Sequence, residues 1–214
     1  MSKQLLGLMK IGNFNRMEKF LKNGEMYLSR LKGFREIEQA ERADINDGIS
    51  HSYQPNKVSL IINDQIIEEV NGPIRVDINS ENPLVYCMYG FNSDHAQLID
   101  QQLVDDRCRK LGDTCVVIKD RKEFYNRVKR GCKEFNLGVD ARLIDYVDYY
   151  NYHGEMGVYK KYQQWHAHQH EYRLVFDELT DIKNINIPLG SLEDIAEIFP
   201  FKEIHNIIKI QKNA

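Results

Sequence analysis

The stretch that most constrains this chain is Leu84-Val85-Tyr86-Cys87-Met88-Tyr89-Gly90-Phe91, an uncharged and almost wholly apolar run. A run this short and this apolar reads as a strand covered on both faces, so the fold is organised around a central strand. Further strands are expected at Leu5–Ile11, Glu25–Leu31, Thr114–Ile118 and Glu171–Asp177. Shorter β-like runs lie at Val58–Ile62, Gln65–Glu69 and Ile74–Ile78, with another candidate at Leu143–Tyr149. Asn63-Asp64 predicts a hairpin turn between the first two of these short runs.

Helical signals are fewer. Asn13 or Asn15 caps a helix with Phe14, Met17, Phe20 and Leu21 on one face, and Asn23-Gly24 ends it. Asp120 caps a second helix running to about Phe135, with Phe124, Val128 and Cys132 turned inward. Asp94–Lys110 is expected to be helical, as is a short stretch from Ser191 to Phe199. Ile185–Leu189 and a final strand through Ile204–Ile210 complete the tail. Strands and helices without regular alternation predict an α+β fold, with a mixed, mainly antiparallel sheet core and flanking helices. No repeat or linker interrupts the chain, so residues 1–214 are expected to form a single domain.

At 42% hydrophobic and 29% charged residues the composition is globular and excludes a disordered chain. No apolar run approaches the roughly 18–20 residues of a membrane span, so no membrane partner is expected. Cys87, Cys108, Cys115 and Cys132 lack any metal-ligand spacing and read as reduced thiols, which points to a cytoplasmic protein. The net charge of −3 argues against bulk nucleic-acid binding. Bases nevertheless gather between Arg107 and Lys133, either as a solvated helix face or as a local basic surface.

Four segments carry candidate chemistry. His166, His168 and His170 would project to one side of an extended chain, as metal ligands or as polar contacts. No metal is assigned to them, and a metal-dependent hydrolase is the least favoured reading. The charged stretch from Phe34 to Gly48 either forms an ion-pair lattice or lines a pocket. Gln169 and Glu171 fall on one face of a strand beginning at Glu171, with Arg173 beyond them. A fixed carboxylate there suits chemistry at a sugar C1, where an oxocarbenium-like state needs an anion, while Gln169 orients the incoming nucleophile. Otherwise Glu171 faces solvent beside Arg173. Tyr27 and Ser29 share a strand face, where the ring can stack on a nicotinamide or nucleobase.

The order of these parts resembles the ADP-ribosyltransferase superfamily. It runs from a strand, a helix ending in Gly24 and a Tyr27/Ser29 strand to an aromatic loop and a strand opening with Gln169-x-Glu171. In that superfamily the N-terminal strand–helix–strand binds NAD, and a late strand carries the catalytic Glu. The resemblance implies an ADP-ribosyltransferase-like fold and an NAD-dependent mono-ADP-ribosyltransferase with a protein or nucleic-acid acceptor. It makes Glu171 and Gln169 catalytic and Tyr159–His168 the recognition loop. Lys10, Tyr27 and Ser29 hold NAD, and Arg35 or Arg42 neutralises its pyrophosphate. Lys10 stands where the superfamily's first strand supplies an Arg or His, and a full Ser-Thr-Ser motif is absent. The chain also resembles uncharacterised bacterial and phage families that share Tyr27, Phe34-Arg35, Arg42-Ala43-Asp44 and Trp165…Glu171-Tyr172-Arg173. The alternative is a non-catalytic nucleotide- or partner-binding protein of the phage or host-defence type.

Overall fold

The computed structural model describes residues 3–36, 43–67, 69–78, 81–97, 102–176, 182 and 184–209. Eight strands form the main sheet: β1 (Leu5–Gly12), β2 (Glu25–Arg30), β3 (Leu84–Asn92), β4 (Thr114–Ile118), β5 (Val139–Leu143), β6 (Glu171–Phe176), β7 (Asn184–Pro188) and β8 (Ala196–Pro200). All their pairings are antiparallel. Two helices, α1 (Phe14–Asn23) and α2 (Arg121–Lys133), pack on one face, so the fold is α+β.

As its apolar run requires, β3 is central and nearly all buried. One edge pairs with β6 from Leu84 to Tyr89. The other edge is shared by two strands: β2 takes Leu84 and Val85, whereas β1 takes Tyr89 to Asn92. Between them Tyr86, Cys87 and Met88 have no strand partner on that edge among the described residues, and the sheet forks. β1 continues into β4 and β8, and β2 into β7. A backbone carbonyl left on such an edge needs a donor. The Lys10 ammonium supplies one to the Cys87 carbonyl, while lying 4.2 Å from the centre of the Tyr86 ring.

α1 begins where expected, with the Asn13 side chain accepting from the Arg16 amide. Met17, Phe20 and Leu21 are buried, but Phe14, at the first helical position, is 52% exposed and does not join their face. Gly24 ends the helix in the left-handed region at φ 64°, and a Cβ there would stand 2.0 Å from the Gly190 carbonyl oxygen. This close approach lets β2 turn back beside β7. The Asp120 side chain caps α2, and Phe124, Val128 and Cys132 face the core.

Short strands complete the fold. His51–Tyr53 pairs with Ile74–Val76 and Gly154–Glu155, and Asp145–Val147 runs parallel to Lys160–Tyr162. Leu60–Ile62 and Gln65–Ile67 form the expected hairpin, with Asn63 and Asp64 both at positive φ. All four cysteines are free of disulfides. No described helix is long and apolar enough to cross a membrane.

Three expectations are corrected. Asp94–Lys110 is not one helix: 3-10 turns at Ser93–Gln97 and Asp106–Leu111 flank it, the second started by Asp105, whose carboxylate caps the Arg107 amide. The helix expected over 191–199 gives way to β8, because Ala196–Pro200 completes the hydrogen-bonding edge of β4. The final strand is instead a helical turn at Ile204–Ile207, with Ile204 buried against Phe201.

Gly131 lies inside α2, where an added Cβ would meet the Ile187 side chain at 2.6 Å and the Pro188 carbonyl oxygen at 2.7 Å. Helix propensity favours Ala over Gly by about 1 kcal/mol. A clash with backbone costs about 1–3 kcal/mol. Gly131→Ala is therefore expected to destabilise the fold, read as a lower urea midpoint at unchanged slope.

Candidate functional site

The fork opens into a cleft of about 480 Å³ whose floor is β3 from Val85 to Tyr89. Lys10, Arg16 and Lys19 stand on the β1–α1 wall, and Tyr27, Ser29 and Asn186 on the β2–β7 wall. Asp47, Lys161, Gln169 and Glu171 close the far end. Five of the site residues expected from sequence, Lys10, Tyr27, Ser29, Gln169 and Glu171, thus line one cavity. Tyr27 is 56% exposed, an accessible ring on the wall.

Gln169 reaches the cleft by a different route from the one its spacing suggested. It belongs to a 3-10 turn, Ala167–Gln169, and not to the strand. His170 then adopts the left-handed conformation at φ 39°, which kinks the chain into β6. Its carbonyl accepts from the Gly90 amide at 2.8 Å, and its ring packs 4.3 Å from that of His95. Burial, with His95 adjoining, lowers the His170 imidazole to about 4.

Glu171 does not face solvent. It is 5% exposed and sits in a buried charge lattice. Arg173 Nε donates to Glu171 Oε1 at 2.7 Å, and its two terminal nitrogens grip both oxygens of Asp47 at 2.8 Å. Lys161 Nζ lies 2.9 Å from Glu171 Oε2, 3.3 Å from Asp47 and 3.9 Å from Asp44. The Glu171 amide donates to the Tyr146 hydroxyl at 2.9 Å. Burial alone would raise the Glu171 carboxyl, but Arg173 and Lys161 outweigh it and hold the group far below its ordinary 4.5. Burial raises Asp44 and lowers His166, whose Nε2 stands 3.4 Å from Asp44 Oδ2. Burial also pushes the Cys87 thiol beneath Glu171 up to about 12, so it remains a hydrogen-bond donor.

The charged segment after Phe34 therefore does both things left open by its sequence: Asp44 and Asp47 join the lattice, and Asp47 also lines the cleft. Arg35 is placed elsewhere. Its guanidinium bonds the Asp47 carbonyl at 2.7 Å and Asp77 at 2.5 Å, and it is not part of the cleft lining. Arg42 lies outside the described residues. The histidines are not extended. Gln163–His166 forms one helical turn, so His166 points to Asp44 and His170 to His95. Among the described residues no group of three His, Cys, Asp or Glu side chains is placed to hold a metal. Within Tyr159–His168, Lys161 reaches the cleft, whereas Trp165 stands 48% exposed against Tyr149 and Tyr162. Much of the basic segment is neutralised locally, Arg127 by Asp194 and Glu123, Arg130 by Glu123, and Arg107 by Asp105.

Removing one member of a buried ion pair costs about 3–5 kcal/mol, because the other charge stays buried. Lys161→Met should lower unfolding free energy by about that much, and adding Glu171→Gln should recover part of it. Linkage gives a second expectation. A carboxyl with a depressed folded pKa contributes fully above its unfolded value and loses that contribution as acid approaches the folded one. Glu171 acts in that sense, as does Asp105, which Arg107 holds at about 2, while the raised Asp44 acts oppositely. Stability should fall between about pH 5 and pH 3. The fall should be shallower in Glu171→Gln, as read by urea unfolding across that range.

Compared with protein-family models, curated proteins and solved structures, the chain finds no significant match.

Proposed function

We propose that the cleft binds NAD and that the protein is an ADP-ribosyltransferase-like enzyme. In this reading it releases nicotinamide and passes ADP-ribose to a protein or nucleic-acid acceptor. The observation that carries it is the convergence of Lys10, Tyr27, Ser29, Gln169 and Glu171 on one cavity from three separate chain segments. Tyr27 offers its ring to the nicotinamide, and Ser29 a hydroxyl beside it. As the bond from ribose C1′ to the nicotinamide nitrogen breaks, its electron pair leaves with nicotinamide, which becomes neutral. Positive charge then grows on the ribose, facing a carboxylate that Arg173 and Lys161 keep ionised. The acceptor nucleophile, oriented by Gln169, closes on C1′ and loses its proton to solvent. A preorganised charge of this kind is worth about 10²–10³ in rate.

A second reading has its own support. Both Glu171 oxygens are already engaged, at 2.7 Å and 2.9 Å. Lys10 also lacks the bidentate fork of an arginine. Those features favour a non-catalytic nucleotide- or partner-binding protein of the phage or host-defence type.

Calorimetric titration of NAD, followed by a nicotinamide-release assay on the same sample, separates the two. The transferase reading expects binding and release, with Glu171→Gln cutting release at least about 100-fold while still binding NAD. Gln169→Ala should slow transfer to an acceptor. Binding without release selects the non-catalytic protein. Failure to bind NAD, or a folded Glu171→Gln protein that releases nicotinamide at the wild-type rate, defeats the proposal.

A further inference from the structure

We infer that the α1 wall of the cleft is a diphosphate subsite, in which Arg16 and Lys19 hold the two phosphates of a nucleoside diphosphate group. This inference rests on reading the cleft as a dinucleotide site and adds the part of the ligand that its other residues leave unheld.

Four cations line the cavity: Lys10, Arg16, Lys19 and Lys161. Lys161 is committed to the lattice. Lys10 is committed to the fork, where it bonds the Cys87 carbonyl over the Tyr86 ring. For Arg16 and Lys19, among the described residues, no side-chain hydrogen bond, ion pair or ring contact is formed. The contrast on their own helix is Lys22, which points away from the cleft lining and pairs with Glu18 at 2.8 Å. Positions i and i+3 on a helix stand about 5–6 Å apart, so two such cations can meet successive phosphates. Arg supplies the planar fork that matches phosphate oxygens, and Lys the point charge beside it. Met17 and Phe20, which interleave with them, also line the cavity and fix the helix face from below.

The cavity is thereby polarised. Its far end holds the Glu171 and Asp47 carboxylates, and its α1 wall holds two uncommitted cations, with Glu25 also in the lining. A dinucleotide with a cationic nicotinamide ring and an anionic diphosphate has the complementary polarity. Sequence reasoning gave the diphosphate to Arg35 or Arg42; the cleft lining places Arg16 and Lys19 there in Arg35's stead.

Calorimetry with ADP, ADP-ribose and adenosine as probes tests this on the full chain, beside an Arg16→Gln/Lys19→Gln double variant and a Lys22→Gln control. Both substituted residues are exposed, so the fold should be retained. ADP and ADP-ribose should bind at least about tenfold more tightly than adenosine. The double variant should lose that advantage, the control should keep it, and added salt should weaken only the diphosphate ligands. ADP binding no better than adenosine, no ADP binding at all, or an unchanged double variant overturns the subsite. The two proposals fail separately. ADP affinity that depends on Arg16 and Lys19 without any nicotinamide release keeps the subsite and removes the transferase. Release with NAD affinity unchanged in the double variant does the reverse.

Discussion

Arg173 is fully buried, and the charge lattice beside the cleft depends on how its charge is met. An unpaired guanidinium in that position would cost several kcal/mol. It is met by two carboxylates and a carbonyl: Asp47 through both oxygens, Glu171 through one, and Val158 O at 2.7 Å. Those partners come from three separated segments, so one side chain ties the loop after Phe34, the turn before Lys160 and strand β6 into a unit. The same contacts keep Glu171 ionised despite its burial. The burial of Arg173 and the ionisation of Glu171 are thus met by a single arrangement, and neither can be altered alone.

The cleft itself follows from topology. β1 and β2 are joined by α1 and share one edge of β3, but the Gly24 turn and the pairing of β2 with β7 draw β2 away from β1. Three residues of β3 are left between them. An open strand edge inside a protein has to be satisfied. Lys10 serves that need, which explains a long basic side chain in an otherwise apolar strand. Its position in the cleft is therefore structural, and among the described residues the lining cations without an ion pair are Arg16 and Lys19 on α1.

The parts legible in the sequence were those set by local physics. Caps at Asn13 and Asp120, the stop at Gly24, the Asn63-Asp64 turn and the apolar runs of β3 and β4 each carry their own signal. The tail was not legible because short apolar stretches such as Ala196–Pro200 and Ile204–Ile207 fit strand or helix equally, and tertiary pairing decides. The histidine run misled because period-two geometry was assumed for a segment that coils into helical turns and kinks at His170. Within the site, Gln169 and Glu171 could be located by their order along the chain. Asp47, Lys161, Arg16 and Lys19 could not, since their roles arise from contacts across long sequence separations or from a cavity wall that no spacing encodes.

The lattice is not equally tight throughout, and that bears on what Glu171 can do. The Arg173 grip on Asp47 is bidentate and buried, and moving it would break two charge-assisted bonds at once. Lys161, by contrast, is a single ammonium shared among three carboxylates at 2.9, 3.3 and 3.9 Å. A small displacement from Glu171 towards Asp47 and Asp44 keeps it paired and loosens its contact with Glu171 Oε2. Three carboxylates stand against two strong cations, and burial raises the Asp44 carboxyl above its ordinary range. The slack in the lattice therefore lies at Lys161, an ammonium with two further carboxylates within 3.9 Å.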